Sequence, residues 1–280
     1  MDINRRIRIG AAILAVPFIV TLTAACGRDG RPAGGALDHV ASGQLTIGIE
    51  FDVPGLGVRD AAESFSGFDV EVAKYVAGKL GVGPDRIIFR AAPPAQRETM
   101  LENGAVDLIV AGYGITDQRM ARVDFAGPYY IGGQSLLVRA DNSDITGTDS
   151  LTGKTVCSAA GSPSAQHIGK NFPDTRLRTL ETYSLCVDGL RHGSWDAVTT
   201  DDLILAGYAA QSAGAFKLVG KPFTTESYGI GLKKGDQELR EKINDAIEAM
   251  IPDGSWEKAL SSTAGATGYQ IPRPPNVNRY

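Results

Sequence analysis

The sequence predicts a two-lobed α/β protein built as a clamshell about a hinge. Short β-rich runs alternate with helical patterns in two successive series, the arrangement of parallel sheets flanked by helices. A polar, turn-rich stretch, residues 140–153 (ADNSDITGTDSLTG), separates the two series. After the second series come one strand and one strong amphipathic helix, too little for a third lobe. The end of the chain therefore returns to the first lobe, and the two crossings form a two-strand hinge over a cleft.

Residues 45–50 (LTIGIE) read as a strand and lead into turn residues Pro54, Gly55 and Gly57. In residues 69–80, Val72, Val76 and Leu80 recur four apart and mark one helix face. A strand over 86–90, a helix over 97–103 and a buried strand over 108–111 complete the first series. The second series begins with a strand over 154–158 and a helix over 164–171, then a strand over 177–180 and a helix over 184–191. It closes with a strand over 197–200 and a helix over 202–211. A strand over 228–232 and a helix over 237–250 opened by Asp236 lead back. The expected boundaries are 43–138 and 229–265 for lobe 1 and 139–228 for lobe 2, each a mostly parallel sheet flanked by helices.

The ends read differently. Arg5, Arg6 and Arg8 precede 17 uncharged residues, 9–25, which close on Thr23-Ala24-Ala25 before Cys26. A basic region, an apolar region and small residues make a secretory signal over 1–25. Those 17 residues fall short of the roughly 20 that span a bilayer. A cysteine at the first mature position resembles a lipobox, so Cys26 is the expected lipidation site. The expected location is the extracellular face of the cell membrane, held by the lipid anchor. Residues 26–42, glycine-rich and charged at their start, read as a flexible stalk, and residues 266–280 as a proline-rich, disordered tail.

Of 280 residues, 28 are basic and 32 acidic; removal of 1–25 takes three arginines and one aspartate, leaving a net charge of −6. That balance, without a basic cluster or an aromatic stripe, excludes nucleic acid as a partner. His39, His167 and His192 are scattered and no paired-cysteine spacing exists, so no metal site is expected. Beyond Cys26, the two remaining cysteines are Cys157 and Cys186. Outside the cytoplasm an even pair suggests a disulfide, against two buried thiols.

No G-x-S-x-G, H-E-x-x-H or G-x-x-x-x-G-K-[ST] is present, nor a G-x-G-x-x-G after a strand. No cofactor and no catalytic residue is therefore expected. Polar groups gather instead at strand ends, where open α/β sheets place ligands. Gly112 and Gly114 leave backbone groups free to approach a ligand. Arg119 comes next, with a fork suited to a carboxylate or to a neighbouring surface acid. Ser162 and Ser164 open a helix, which favours an anion but also fits ordinary capping. Asp201 ends a strand and suits an ammonium, unless it only caps the next helix with Asp202. Together these are the groups an α-amino acid requires.

Five stretches carry a family resemblance: SGFDVEVAKYVAGKLG, NGAVDLIVAGYGITDQRMARVDFAGPYY, DSLTGKTVCSAAGSPSAQ, GSWDAVTTD and YGIGLKKGDQELREKINDAIEAMIPDGSWEKAL. In combination the chain resembles the periplasmic-type (type II) solute-binding proteins of polar amino-acid ABC transporters. DVPGLGVR, PAQRETM, TYSLCVDGL and ESYGIGLKK resemble the glutamate-binding lipoproteins of high-GC Gram-positive bacteria. The resemblance implies a monomer that binds a free amino acid and hands it to ABC permease subunits, and it implies pairing of Cys157 with Cys186. It gives Gly112 a carbonyl for the ligand amine, Arg119 and the amides at Gly114 and Ser162 the α-carboxylate, and Asp201 the ammonium. Phe51 or Asp52 would line the cleft wall. Two departures stand out: Gly114 lacks the hydroxyl of threonine found in many relatives, and Pro163 lacks an amide.

Arg97 and Arg59 are the candidates for a distal carboxylate, which makes glutamate, or aspartate, the expected ligand. For Arg59 the bland reading is a solvated loop residue, and for Arg97 a structural helix-start arginine. Two other roles fit a clamshell. One is a membrane-tethered amino-acid sensor acting on a partner kinase. The other is a dehydratase with Asp201 as general acid, against which Arg119 is expected to keep Asp201 ionised.

Overall fold

The computed structural model describes residues 35–212, 214–263 and 269–279. The expected signal segment, Cys26 and the first part of the stalk lie outside the described residues. Helix α1 (Ala36–Ala41) falls inside the expected stalk. It is docked, not free: Leu37 is buried, and His39 Nδ1 lies 2.6 Å from Asp107 Oδ1.

The first lobe runs through β1 (Leu45–Ile49), β2 (Asp52–Val53), β3 (Gly57–Arg59), β4 (Phe65–Ser66) and α2 (Phe68–Lys79). It continues with β5 (Ile87–Ala91), α3 (Arg97–Glu102), β6 (Leu108–Val110), α4 (Asp117–Met120) and β7 (Val123–Gly132). The second lobe comprises β8 (Gln134–Arg139), β9 (Thr155–Ala159), α5 (Pro163–Asn171), β10 (Arg176–Leu180), α6 (Tyr183–Arg191), β11 (Ala197–Asp201), α7 (Asp202–Gln211) and β12 (Phe216–Val219). Strand β13 (Glu226–Lys233) and helices α8 (Gln237–Met250) and α9 (Ser255–Ser262) return to the first lobe.

Each lobe holds a five-stranded sheet, ordered β5-β1-β6-β13-β7 and β10-β9-β11-β8-β12. Both are mixed. The three strands nearest one edge are parallel, as the alternation predicts, whereas β7 and β13, and β8 and β12, run antiparallel to their neighbours. The reversals belong to the segments next to the two crossings. The inner strand β6 is covered on both faces, so the consecutive Leu108, Ile109 and Val110 are all fully buried. Helix α8 presents Leu239, Ile243, Ala246, Ile247 and Met250 to the core, and Asp236 caps it by accepting from the Leu239 amide at 3.1 Å.

The first crossing falls at Gly132–Gly133 instead of residue 139, because β8 already pairs in the second sheet. The polar stretch after it is a surface connection within lobe 2. The return crossing lies between β12 and β13, all of β13 belonging to the first sheet. The lobes are shut on each other. A Cβ on Gly161 would lie 2.7 Å from Ala95 Cα, and one on Gly207 would lie 2.0 Å from the Pro54 carbonyl oxygen.

The tail also departs from expectation. Pro275 is buried, the Asn278 amide donates to Gly127 O at 2.8 Å, and Arg279 pairs with Glu241, Asp245 and Glu248 along α8. Proline-rich composition alone reads as disorder; these anchors hold residues 269–279 on the lobe. In the second lobe Cys157 on β9 meets Cys186 on α6, with Cα atoms 5.5 Å apart, the separation of a disulfide.

Candidate functional site

Strand ends from both lobes converge on one small enclosed cavity. Its wall includes Glu50, Arg97, Gly112, Gly114 and Arg119 from lobe 1, Ser162, Tyr183 and Asp201 from lobe 2, and Glu226 on the hinge strand β13. The space a water-sized sphere can enter is about 10 Å³, room for about one water.

Arg119 is placed by α4, which Thr116 caps by accepting from the Arg119 amide. Its guanidinium stacks 4.7 Å from the centre of the Tyr113 ring, and Nε lies 3.0 Å from Glu98 Oε1. That leaves the outer fork facing the cleft. Nη1 donates to Gly114 O at 2.8 Å and Nη2 to Gly161 O, in the other lobe, at 3.1 Å. A ligand carboxylate would take both donors as a bidentate partner. Burial, and then the neighbouring charge of Arg97, push the Arg119 pKa down.

Gly112 turns at φ +51°. Its amide donates to Asp69 Oδ2 at 2.7 Å, while Asp69 Oδ1 accepts from the Tyr129 hydroxyl at 2.7 Å. The fully buried Asp69, pushed up to about 7 by burial, therefore fixes the loop that lends Gly112 to the wall. Across the cleft, Ser162 caps α5 by accepting from the Ala165 amide at 3.0 Å. Pro163 occupies the first helical position, where the missing N–H would have had no helical partner. The Gly114 departure is its neighbour: a Cβ on Gly114 would lie 3.5 Å from Pro163 Cγ.

Asp201 closes β11, and its Oδ2 accepts from the Tyr228 hydroxyl at 2.6 Å. Burial, and then the negative charge of Glu226, raise its pKa to about 7, and the opposing pull of Arg119 is weaker than either. The expectation that Arg119 keeps Asp201 ionised is thereby corrected: desolvation outweighs the cation.

Of the two arginines expected at a distal carboxylate, only Arg97 reaches the cavity. Its Nε donates to Ala92 O at 2.9 Å, and Nη2 forms a buried ion pair with Glu50. Burial pushes the Glu50 carboxyl up to about 8 against the pull of Arg97. Arg59 is not brought to the site. It ends β3 on the exposed side, with Nη1 3.2 Å from Glu63 Oε2, because β3 turns this side chain to solvent.

Phe51 and Asp52 do not line the cavity. Asp52 instead bridges the lobes: its Oδ2 accepts from the Ser184 amide at the start of α6, at 3.1 Å, and its carbonyl accepts from the Tyr208 hydroxyl at 2.8 Å. Three wall residues with polar side chains escaped the sequence reading: Glu50, Tyr183 and Glu226. Glu226 stands two residues before the apolar run YGIGL and was available as a charged residue at a strand start. Nothing in the sequence marks Tyr183 or the pairing of Glu50.

The arrangement suits a zwitterion. Arg97 and Arg119 are paired with Glu50 and Glu98, whereas neither Asp201 nor Glu226 has an ion-pair partner among the described residues. The cavity thus offers a fork for a carboxylate and unneutralised carboxylates for an ammonium. No group of three metal-ligating side chains occurs among the described residues.

Comparison with known proteins agrees with this chemistry. The profile of the bacterial extracellular solute-binding proteins, family 3, matches residues 45–263. The glutamate-binding protein GluB of Corynebacterium glutamicum is 43% identical over 269 residues, 92% of this chain and 90% of the relative. The ABC transporter glutamine-binding protein GlnH of Bacillus subtilis is 34% identical over 251 residues, 86% and 91% of the two chains. Among solved structures, an ancestral arginine-binding protein bound to glutamine has a TM-score of 0.74 at 35% identity, covering 79% of this chain and 97% of that one. The cysteine-binding protein of Campylobacter jejuni has a TM-score of 0.79 at 26% identity, covering 87% and 98%. The curated relatives are binding proteins, not enzymes.

Proposed function

Because this chain belongs to the bacterial extracellular solute-binding proteins, family 3, we propose that it captures glutamate, or aspartate, outside the cell and delivers it to an ABC permease. In this reading Cys26 carries the lipid that holds the protein to the extracellular face of the membrane. Cys157 and Cys186 are oxidised to a disulfide there. The observation that carries the ligand class is Arg119 and Asp201 meeting on one cavity from opposite lobes. A single zwitterion touches both only when the lobes are shut, so its binding free energy favours closure.

The side chain is read at Arg97. For glutamate, the distal carboxylate takes Arg97 and the buried Glu50 holds a proton, as its raised pKa allows. A second reading rests on the Arg97–Glu50 pair itself. With Glu50 ionised the pair is neutral and offers donors and an acceptor, which suits the amide of glutamine.

The test is calorimetry on residues 27–280, unfolded and refolded to remove bound ligand, with glutamate, aspartate, glutamine, asparagine and arginine. Glutamate binding that is lost in Arg119→Ala and in Arg97→Ala supports the proposal. Binding of glutamine alone selects the second reading, and no heat with any of the five defeats both.

A further inference from the structure

We propose that the C-terminal segment, residues 269–279, is a strap across the hinge and that Tyr269 is a positioning residue for the closed binding site. The strap lies beyond the residues matched by the family profile, 45–263. The inference rests on the reading of the protein as a clamshell binder and adds to it a part that controls release.

Tyr269 Oη lies 2.7 Å from Tyr130 Oη, on β7 of lobe 1, and donates to Asp202 Oδ2, the first residue of α7 in lobe 2, at 2.9 Å. Asp202 also holds the crossing. Its amide donates to Gly133 O at 2.8 Å, and its Oδ1 accepts from the Gly133 amide at 3.3 Å. The crossing is crowded: a Cβ on Gly132 would lie 2.9 Å from both Asp202 Oδ1 and Tyr130 Cε1. Next along the chain is Asp201, the proposed acceptor of the ligand ammonium.

The other end of the strap belongs entirely to lobe 1. The Asn278 amide donates to Gly127 O at 2.8 Å, and Arg279 bonds Glu241, Asp245 and Glu248 on α8. A segment anchored in this way cannot follow Asp202 when lobe 2 swings away. The Tyr269–Asp202 bond is therefore specific to the closed form. A hydrogen bond to a carboxylate is among the stronger ones, and its loss is felt at the step that opens the cleft.

The experiment compares the full-length chain in detergent with Tyr269→Phe and with a chain ending at Gly268. Release of L-glutamate or L-glutamine is monitored by rapid mixing, and the thermal midpoint is measured without ligand. Tyr269→Phe is expected to release ligand roughly tenfold faster with an unchanged ligand-free midpoint, and the shortened chain, which also loses its lobe 1 anchors, to release it at least as fast. An unchanged release rate in either variant, or a faster one in Tyr269→Phe matched by a fall in its ligand-free midpoint, would overturn the proposal. A ligand-independent arm places spin labels at Lys79→Cys and Arg178→Cys, one on each lobe. The short-distance, closed population is expected to shrink in Tyr269→Phe, and an identical distribution would defeat the strap. If the wild type binds neither amino acid, the functional reading fails, and the distance arm still decides the strap.

Discussion

Tyr228 donates its hydroxyl to Asp201 Oδ2 at 2.6 Å, so a tyrosine of the returning hinge strand holds the carboxylate that closes β11 in the other lobe. The bond has two consequences. It orients Asp201 towards the cavity, and it opposes the burial that raises the Asp201 pKa to about 7. An ammonium needs the ionised carboxylate, so affinity should fall as pH drops below about 7. Tyr228→Phe removes the opposing influence and should move that midpoint to higher pH. Asp201→Asn should abolish the loss of affinity on the acid side of that midpoint and weaken binding by on the order of 100-fold, about 3 kcal/mol. Titration of the dissociation constant between pH 5 and about 8.5 checks all three, and a flat wild-type profile counts against the assignment.

The pairing of Arg97 with Glu50 makes the choice between glutamate and glutamine a question of protons. If glutamate takes Arg97, Glu50 loses its cation in a buried site and binds a proton. If glutamine binds, the pair stays as it is. Because burial in the shut cleft pushes the Glu50 carboxyl up to about 8, glutamate binding above that pH requires proton uptake. The ratio of glutamate to glutamine affinity should then fall up to about tenfold per pH unit above the Glu50 pKa. The influence of Asp201 is common to both ligands and cancels in the ratio. Glu50→Gln should remove the slope and favour glutamate. Parallel profiles for the two amino acids in the wild type would contradict the mechanism.

The parts of this fold that were legible in the sequence are those whose signal is local. The parallel strands around Ile47 and Leu108 read as short apolar runs because both faces are buried, and α8 reads from the spacing of Leu239, Ile243 and Ile247. The hinge was not legible in the same way. The polar, turn-rich stretch over 140–153 reads as the break between lobes, whereas the true crossing at Gly132–Gly133 sits between two apolar runs and carries no such polar signal. In the site, Arg119 and Asp201 stood out because strand ends gather ligands. The counter-ions Glu50 and Glu98 did not, since each meets its arginine through the tertiary fold. The docking of Tyr269 and Arg279 is invisible for the same reason, and a proline-rich composition points away from it.

The Cys157–Cys186 contact ties β9 to α6 across a sequence separation of 29. Both elements feed the cavity, β9 through Ser158, which lies 3.2 Å from Ser162 Oγ, and α6 through Tyr183. On the chain-entropy account, closing a loop of that length contributes about 3–4 kcal/mol. Cys157→Ala with Cys186→Ala should lower unfolding free energy by roughly that amount in denaturant titrations. Ligand affinity at low temperature should change far less. A double variant as stable as wild type would mean that the two sulfurs are not bonded in the mature protein.

Gly207 provides the sharpest separation of closure from folding. It lies inside α7, where alanine is favoured over glycine by up to about 1 kcal/mol. In the shut clamshell, however, a Cβ at this position would meet the Pro54 carbonyl oxygen of the other lobe at 2.0 Å. That oxygen is backbone and cannot swing aside as a side chain does. Gly207→Ala is thus expected to hold the lobes apart while leaving each lobe intact. The ligand-free thermal midpoint should stay the same or rise slightly, and affinity should drop by at least about tenfold, since Arg119 and Asp201 no longer reach one ligand together. A purely structural role for the glycine predicts the reverse pattern, a lower midpoint with affinity retained. Calorimetric titration and thermal unfolding of the same preparation distinguish the two, because the effects on stability and on binding are expected to carry opposite signs.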